Sequence, residues 1–199
     1  MKCGKPISRM DVEYCPDCAK YAHVFDRGTA AFTYTGRLRQ SVYRMKADNR
    51  REYLDFYAVA MLQALRPRLG LWQPQLVLPV PMYWRKKCVR GYNQSELLAK
   101  RVGRLAGLPV DCRALACVRT HTAQKLLGRR ERMQNLRGSF LLKKELPGVE
   151  RVLLVDDVYT TGSTMDELAR VLKQSGIQKV YFLVLCTGRG EKVLFRDAG

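Results

Sequence analysis

The chain has 199 residues, with 36 Lys+Arg against 18 Asp+Glu for a net charge of +18, room for one full domain and a small module but not for two large lobes. A hydrophobic share of 47% with 27% charged residues excludes a disordered chain. The longest apolar run, residues 180–186, is far short of the about 20 residues a membrane span needs. No secretory leader pattern opens the chain, so a cytoplasmic location is expected.

Residues 1–20 hold Cys3, Cys15, Cys18, Pro6 and Pro16 with little apolar periodicity, and read as a small module. Ala31-Phe32-Thr33-Tyr34 predicts a strand closed by Gly36. Asn49 and Glu52 have capping-box spacing, and a helix is expected from Tyr53 to Leu65, stopped by Pro67. Residues 76–80 form a short apolar run, read as a strand that ends in a Pro-containing loop. Asn93 and Glu96 repeat the cap spacing before a helix with Leu97, Leu98, Val102 and Leu105 in its stripe, ending at Gly107. Residues 115–118 and 140–142 are weaker strand candidates. Residues 152–155 predict a buried strand, 164–174 a helix and 180–185 a last strand. Strands alternating with helices imply a mostly parallel sheet covered on both faces.

The positive charge is clustered. Segments 27–51, 85–104 and 113–137 each hold seven basic residues and one acid, and together account for the whole net charge. Such clusters are either solvated surface or sites for polyanions, a nucleic acid or a phosphorylated small molecule. Seven cysteines, an odd number, argue against a disulfide framework. Cys15 and Cys18 have the spacing of half a zinc site, and Cys3 is a third candidate ligand; a complete site takes four.

The chemistry concentrates in residues 152–164, Val-Leu-Leu-Val-Asp-Asp-Val-Tyr-Thr-Thr-Gly-Ser-Thr. A core strand delivers Asp156 and Asp157 to the carboxyl edge of the sheet, where open parallel sheets bind ligands, and the two acids are expected to face solvent there. Thr160, Thr161, Gly162, Ser163 and Thr164 then lead into a helix. Hydroxyls, backbone N–H groups and a helix N-terminus suit a phosphate, and Gly162 permits close approach. The loop is not a Walker A sequence, since it has no lysine. A carboxylate only accepts hydrogen bonds, so sugar hydroxyls are natural partners for the acids.

Residues 152–164 resemble the phosphoribosyl pyrophosphate signature of type I phosphoribosyltransferases. That resemblance implies ribose binding by Asp156 and Asp157 and 5′-phosphate binding by residues 160–164. Val80-Pro81, Arg85-Lys86-Lys87, Arg90-Gly91-Tyr92-Asn93-Gln94 and Glu96-Leu97-Leu98-Ala99 resemble the ComF family of competence-associated proteins. Tyr34, Gly36, Thr122, Gln124, Leu127, Arg132, Asn135 and the N-terminal cysteines share in that pattern, which covers nearly the whole chain. The resemblance implies an α/β, type I phosphoribosyltransferase-like fold with a mostly parallel sheet flanked by helices. It divides the chain into a partial zinc-binding module, 1–25, and a phosphoribosyltransferase-like domain, 26–199.

The same resemblance makes Arg85, Lys86, Lys87 and Arg90 candidate pyrophosphate contacts, and residues 119–137 a covering loop in which Arg129, Arg130 and Arg132 add charge. His121 receives no role. It implies Mg²⁺ held chiefly by substrate oxygens and water beside Asp156 and Asp157, Zn²⁺ at Cys3, Cys15 and Cys18, and single-stranded DNA with the DNA-uptake machinery as partners. In ComF-like chains Cys3-Gly4-Lys5-Pro6 is the context of a second cysteine, so the first is expected one residue before Met1, upstream of this start or lost by truncation; His23 is a substitute fourth ligand. The acceptor and the catalytic residues are not legible. Three functions stand open: a ComF-type phosphoribosyl pyrophosphate-binding protein of DNA uptake, a nucleobase salvage phosphoribosyltransferase, and a non-catalytic single-stranded nucleic-acid binder in which Tyr83, Trp84 and Tyr92 stack on bases.

Overall fold

A computed structural model describes residues 2–7, 12–47, 50–119 and 136–188. Along it run α1 (Pro16–Lys20), β1 (Arg27–Thr33), α2 (Gly36–Ala47), α3 (Tyr53–Trp72), β2 (Leu76–Pro79), α4 (Trp84–Arg90), α5 (Gln94–Ala106), β3 (Leu115–Cys117), β4 (Phe140–Leu142), β5 (Arg151–Tyr159), α6 (Ser163–Gln174) and β6 (Lys179–Thr187). Four strands form one parallel sheet in the order β1-β6-β5-β2, and β3 pairs antiparallel with β4.

The continuous apolar runs of β5 and β6 divide by parity between two cores. Val152, Leu154, Val180, Phe182 and Val184 join Phe25, Leu78, Leu168 and Leu172 on one face. Leu153, Val155, Tyr181, Leu183 and Leu185 join Leu54, Met61, Leu98 and Val102 on the other. A strand buried on both faces has no polar side to show, which is why these runs carry no apolar–polar alternation. Both outer edges of the sheet are covered. The Gly28 N–H donates to the Lys2 carbonyl (2.7 Å) along β1, and residues 109–111 pair with Val77 along β2. Cys3 and Cys15 are buried in the same core as Phe25 and Phe182. None of the helices among the described residues is long and apolar enough to cross a membrane.

Several expectations need correction. The helix from Tyr53 does not stop at Pro67 but continues to Trp72. Proline removes the N–H owed to the Gln63 carbonyl, a cost of about 3 kcal/mol, but the last turn is held by packing: Trp72 is buried and stacks on Tyr181 at 4.8 Å and 3°. The helix ends instead at Gln73, in the left-handed region with its N–H bonded to the Leu69 carbonyl. Asn49 lies outside the described residues, and Glu52 makes no side-chain cap bond. At α5 only half of the capping box forms: Asn93 accepts from the Ser95 N–H (3.1 Å), while Glu96 turns to Lys87 and Lys100. Helices α2 and α4 stand where the sequence shows no helical stripe, because α2 buries only Val42 and Met45 and α4 buries nothing.

Gly28 is required by space. A Cβ there would overlap the ring of Phe182, which is fully buried. Gly28→Ala is expected to lower the unfolding free energy by about 1–3 kcal/mol, the usual cost of overpacking, measured by urea titration.

Candidate functional site

β5 and β2 are neighbours whose onward connections leave in opposite directions, β5 through α6 to β6 and β2 through α5 to residues 109–111 at the outer edge. Such a divergence leaves a crevice at the carboxyl ends of the strands. A cavity of about 250 Å³ opens there, with Asp156, Asp157 and Thr164 on its β5–α6 side and Val80, Lys86, Arg90, Gln94 and Ser95 from the β2–α5 connection.

The acids do not simply face solvent. β5 runs on through them to Tyr159, and Asp157 is only 9% exposed. Asp156 Oδ1 accepts from the Ser95 hydroxyl (2.6 Å) and from the Asp157 N–H (2.8 Å). Burial, with Asp157's charge adding to it, pushes the Asp156 carboxyl up to about 7. Asp157 ion-pairs with Lys46 of α2. Burial pulls the Lys46 ammonium down, but the charge and hydrogen bond of Asp157 outweigh it and raise it above its ordinary value.

Residues 160–164 follow β5 as a tight turn. Thr161 and Ser163 hydroxyls lie 3.0 Å apart, and Gly162 caps α6 with φ +84. A Cβ at Gly162 would stand 2.6 Å from the Tyr159 hydroxyl and 2.9 Å from the His23 ring, so glycine is demanded by both space and backbone. The first N–H groups of a helix have no intrahelical partner and favour anions. Asp166, the one acid in the first turn, is turned away from the loop: its carboxylate accepts from His23 Nδ1 (2.8 Å) and the Val24 N–H (2.8 Å).

The four basic candidates of the β2–α5 connection separate. Lys86 and Arg90, four residues apart, line the cavity. Arg85 lies over the Trp84 ring at 5.3 Å, and Lys87 pairs with Glu96 at 2.8 Å. Arg90 is held by Gln94 Oε1 (2.9 Å); Gln94 borders the cavity, and its Nε2 is buried without a hydrogen-bond partner among the described residues. Sequence reasoning missed Lys46, Gln94 and Ser95 as site residues, because each is recruited by a contact distant in sequence or by the turn at Gly91 (φ 79) that ends α4. His121, Thr122, Gln124, Leu127, Arg129, Arg130, Arg132 and Asn135 lie outside the described residues.

At the N-terminus the sulfurs of Cys3, Cys15 and Cys18 lie within 4.8 Å of one another, close enough to share one metal ion. Hydrogen bonds from Cys18 and Cys3 hold the Cys15 thiol well below its usual range, and thiolate is the form that ligates metals. His23 is not brought to them as a fourth ligand. It is buried, bonded to Asp166 and stacked on Phe25 at 4.5 Å, where the fold uses it beneath the loop.

Residues 112–198 match the phosphoribosyl transferase domain family. With the parallel sheet, the diacid and the loop at the N-terminus of α6, they define a type I phosphoribosyltransferase fold. DNA utilization protein YhgH of Salmonella typhimurium is 32% identical over 188 residues, covering 93% of this chain and 82% of that protein. Competence protein F of Haemophilus influenzae is 31% identical over 185 residues, covering 89% and 80%. A purine phosphoribosyltransferase from Pyrococcus horikoshii Ot3 is similar in structure over 69% of this chain and 90% of its own, at 14% identity and a TM-score of 0.40. The chain belongs to the ComF family, that of competence protein F and YhgH. The domain match holds the acids and the loop, while Lys46, Lys86, Arg90, Gln94 and Ser95 come from before it.

The pH dependence of stability follows from Asp156. An ordinary carboxyl, at 3.8, loses its proton in the unfolded chain long before the folded one does. Between about pH 4 and 7 the folded state therefore binds more protons, and stability falls as pH rises. Asp156→Asn removes this loss: the variant is expected to unfold at higher temperature than the parent near pH 8, with the gap closing towards pH 4 in calorimetric scans.

Proposed function

We propose that this protein binds phosphoribosyl pyrophosphate with Mg²⁺ and, like the relatives named for competence and DNA utilization, serves in the handling of DNA taken up by the cell. The observation that carries the first half is a cavity lined by a diacid at the end of β5, by Thr164 at the N-terminus of α6 and by Lys86, Arg90 and Gln94, with the rest of the hydroxyl-rich turn forming a smaller hollow of about 20 Å³ that shares Asp156 and Thr164 with it. In this reading Asp156 and Asp157 accept from the ribose hydroxyls, Thr160, Thr161, Gly162, Ser163 and Thr164 hold the 5′-phosphate, and Lys86, Arg90 and Gln94 meet the pyrophosphate. Arg85 and Lys87 are engaged elsewhere and take no part in it.

Both carboxylates already have protein partners, Ser95 and Lys46, which suits Mg²⁺ held mainly by ligand oxygens and water. The ion, when bound, neutralises phosphate charge. Zn²⁺ is the metal that three clustered cysteine sulfurs suit best, held by Cys3, Cys15 and Cys18 as a cross-link between residues 2–7 and the segment around α1. A cytoplasmic placement agrees with seven cysteines of which none forms a disulfide.

Calorimetric titration with phosphoribosyl pyrophosphate and Mg²⁺ tests the site. Thr161→Val, or Asp156→Asn with Asp157→Asn, is expected to weaken binding about ten-fold or more while the fold is retained, since each lost bond to a charged group is worth roughly 1.5–3 kcal/mol. Unchanged affinity in both variants would refute the assignment.

The DNA half rests on the other face of α4. Trp84 is 58% exposed with Arg85 stacked on it, and Val89 is 92% exposed, an aromatic, a cation and an apolar surface side by side outside the cavity. Bases stack on such aromatics, and the backbone meets the cations. Single-stranded DNA is expected to bind in a salt-dependent manner. Trp84→Ala should cost roughly 1–3 kcal/mol, and Arg85→Ala should flatten the salt slope by roughly 0.7. An unchanged isotherm for both would remove α4 from the DNA surface.

A further inference from the structure

A cavity that takes a polyanion while two adjacent carboxylates stand on its wall carries a charge conflict. Among the described residues, Lys46 is the cation that ion-pairs with this diacid. It also lines the cavity beside the two acids, so whatever enters meets its charge together with theirs. Its position is enforced. The preceding residue, Met45, is completely buried, and its carbonyl accepts a hydrogen bond from the buried Tyr92 hydroxyl. Arg51 covers the Tyr92 ring at 4.7 Å. The last turn of α2 is thereby pinned to the start of α5, and Lys46 has little freedom left to lose on meeting a ligand.

We propose that Lys46 is a resident cation of the ligand site, which stays on Asp157, offsets the charge of the diacid and lets a phosphorylated sugar bind with less help from a divalent ion. It rests on the phosphoribosyl pyrophosphate assignment above and adds to it a residue outside the loop and the diacid. In physical terms, a fixed ammonium on the protein takes over part of the neutralisation that Mg²⁺ would otherwise supply. Metal-free phosphoribosyl pyrophosphate should then approach the loop without meeting an unscreened pair of carboxylates. Lys46 acts as a binding and positioning group: the ammonium holds the Asp157 carboxylate in one orientation, ready to accept from a sugar hydroxyl.

The experiment compares phosphoribosyl pyrophosphate affinity with excess Mg²⁺ and with EDTA, for the parent protein, Lys46→Met and Lys46→Arg. In the parent, removing Mg²⁺ is expected to weaken binding only moderately. In Lys46→Met the loss on removing Mg²⁺ should be at least about ten-fold larger, the scale of one charged hydrogen bond, with Mg²⁺ recovering most of the affinity. Lys46→Arg should keep the parent's ratio. An equal Mg²⁺ dependence in all three overturns the proposal and leaves the site assignment standing. So does an equal loss in Lys46→Met and Lys46→Arg with and without Mg²⁺, since that marks a purely structural role. A parent protein that binds no phosphoribosyl pyrophosphate even with Mg²⁺ overturns the site assignment itself.

Discussion

The geometry of the cavity depends on four consecutive residues, Tyr92-Asn93-Gln94-Ser95, and on hydrogen bonds that point in four directions. The Tyr92 hydroxyl reaches the end of α2 at the Met45 carbonyl. Asn93 donates to the Val80 carbonyl (2.9 Å), fixing the loop after β2, and with its other atom caps α5. Gln94 holds Arg90, and Ser95 holds Asp156 on β5. All four residues are buried. Each bond contributes only about 1 kcal/mol net, but a buried polar group left unpaired costs about 1–3 kcal/mol, so the set is kept by the penalty for breaking it. One short segment therefore ties α2, the β2 loop, α4 and β5 together, and α2 and α4, which bury little apolar surface of their own, depend on it for their place.

The electrostatics follow from that geometry. Two like charges about 4 Å apart at an effective dielectric of about 20 repel by about 4 kcal/mol. The fold answers this differently for each acid. Asp157 has a lysine; Asp156 has a hydroxyl and a backbone N–H, and burial holds its proton up to about pH 7. A site with one paired carboxylate and one that is readily protonated presents less negative charge than its sequence suggests. The cations of α4 and the N-terminus of α6 are then not cancelled locally.

Some of this architecture was legible in the sequence and some was not, for physical reasons. β5, β6 and β2 announce themselves because strands buried on both faces must be continuously apolar, and the residue run after β5 can be read because phosphate binding restricts residue types sharply. The place of α2 is invisible because it buries two side chains and is held by Tyr92, 47 residues from Met45. Pro67 misled because local propensity was outweighed by Trp72 packing on Tyr181. Lys46 could not be singled out among 36 basic residues, since only the tertiary pairing with Asp157 distinguishes it. The four basic residues of α4 looked alike, and the helix turn sent Lys86 and Arg90 to the cavity and Arg85 to Trp84.

The floor of the phosphate-type loop is supplied by the N-terminal segment. His23 stacks on Phe25, Phe25 meets Phe182 edge-on at 4.9 Å, and Phe182 stacks on Tyr159, whose hydroxyl lies directly under Gly162. Cys3 and Cys15 are buried in the same core, and Lys5 lies over the Tyr159 ring at 5.6 Å. The contact from His23 and Val24 to Asp166 fixes the first turn of α6 from below, while the close approach at Gly162 leaves no space for the loop to settle inward. A loop that presents backbone N–H groups to an anion works by being rigid before the anion arrives, because orienting those dipoles afterwards would cost binding energy. Here that rigidity comes from residues more than 140 positions away in the chain, so the cysteine segment and the loop share one packed core.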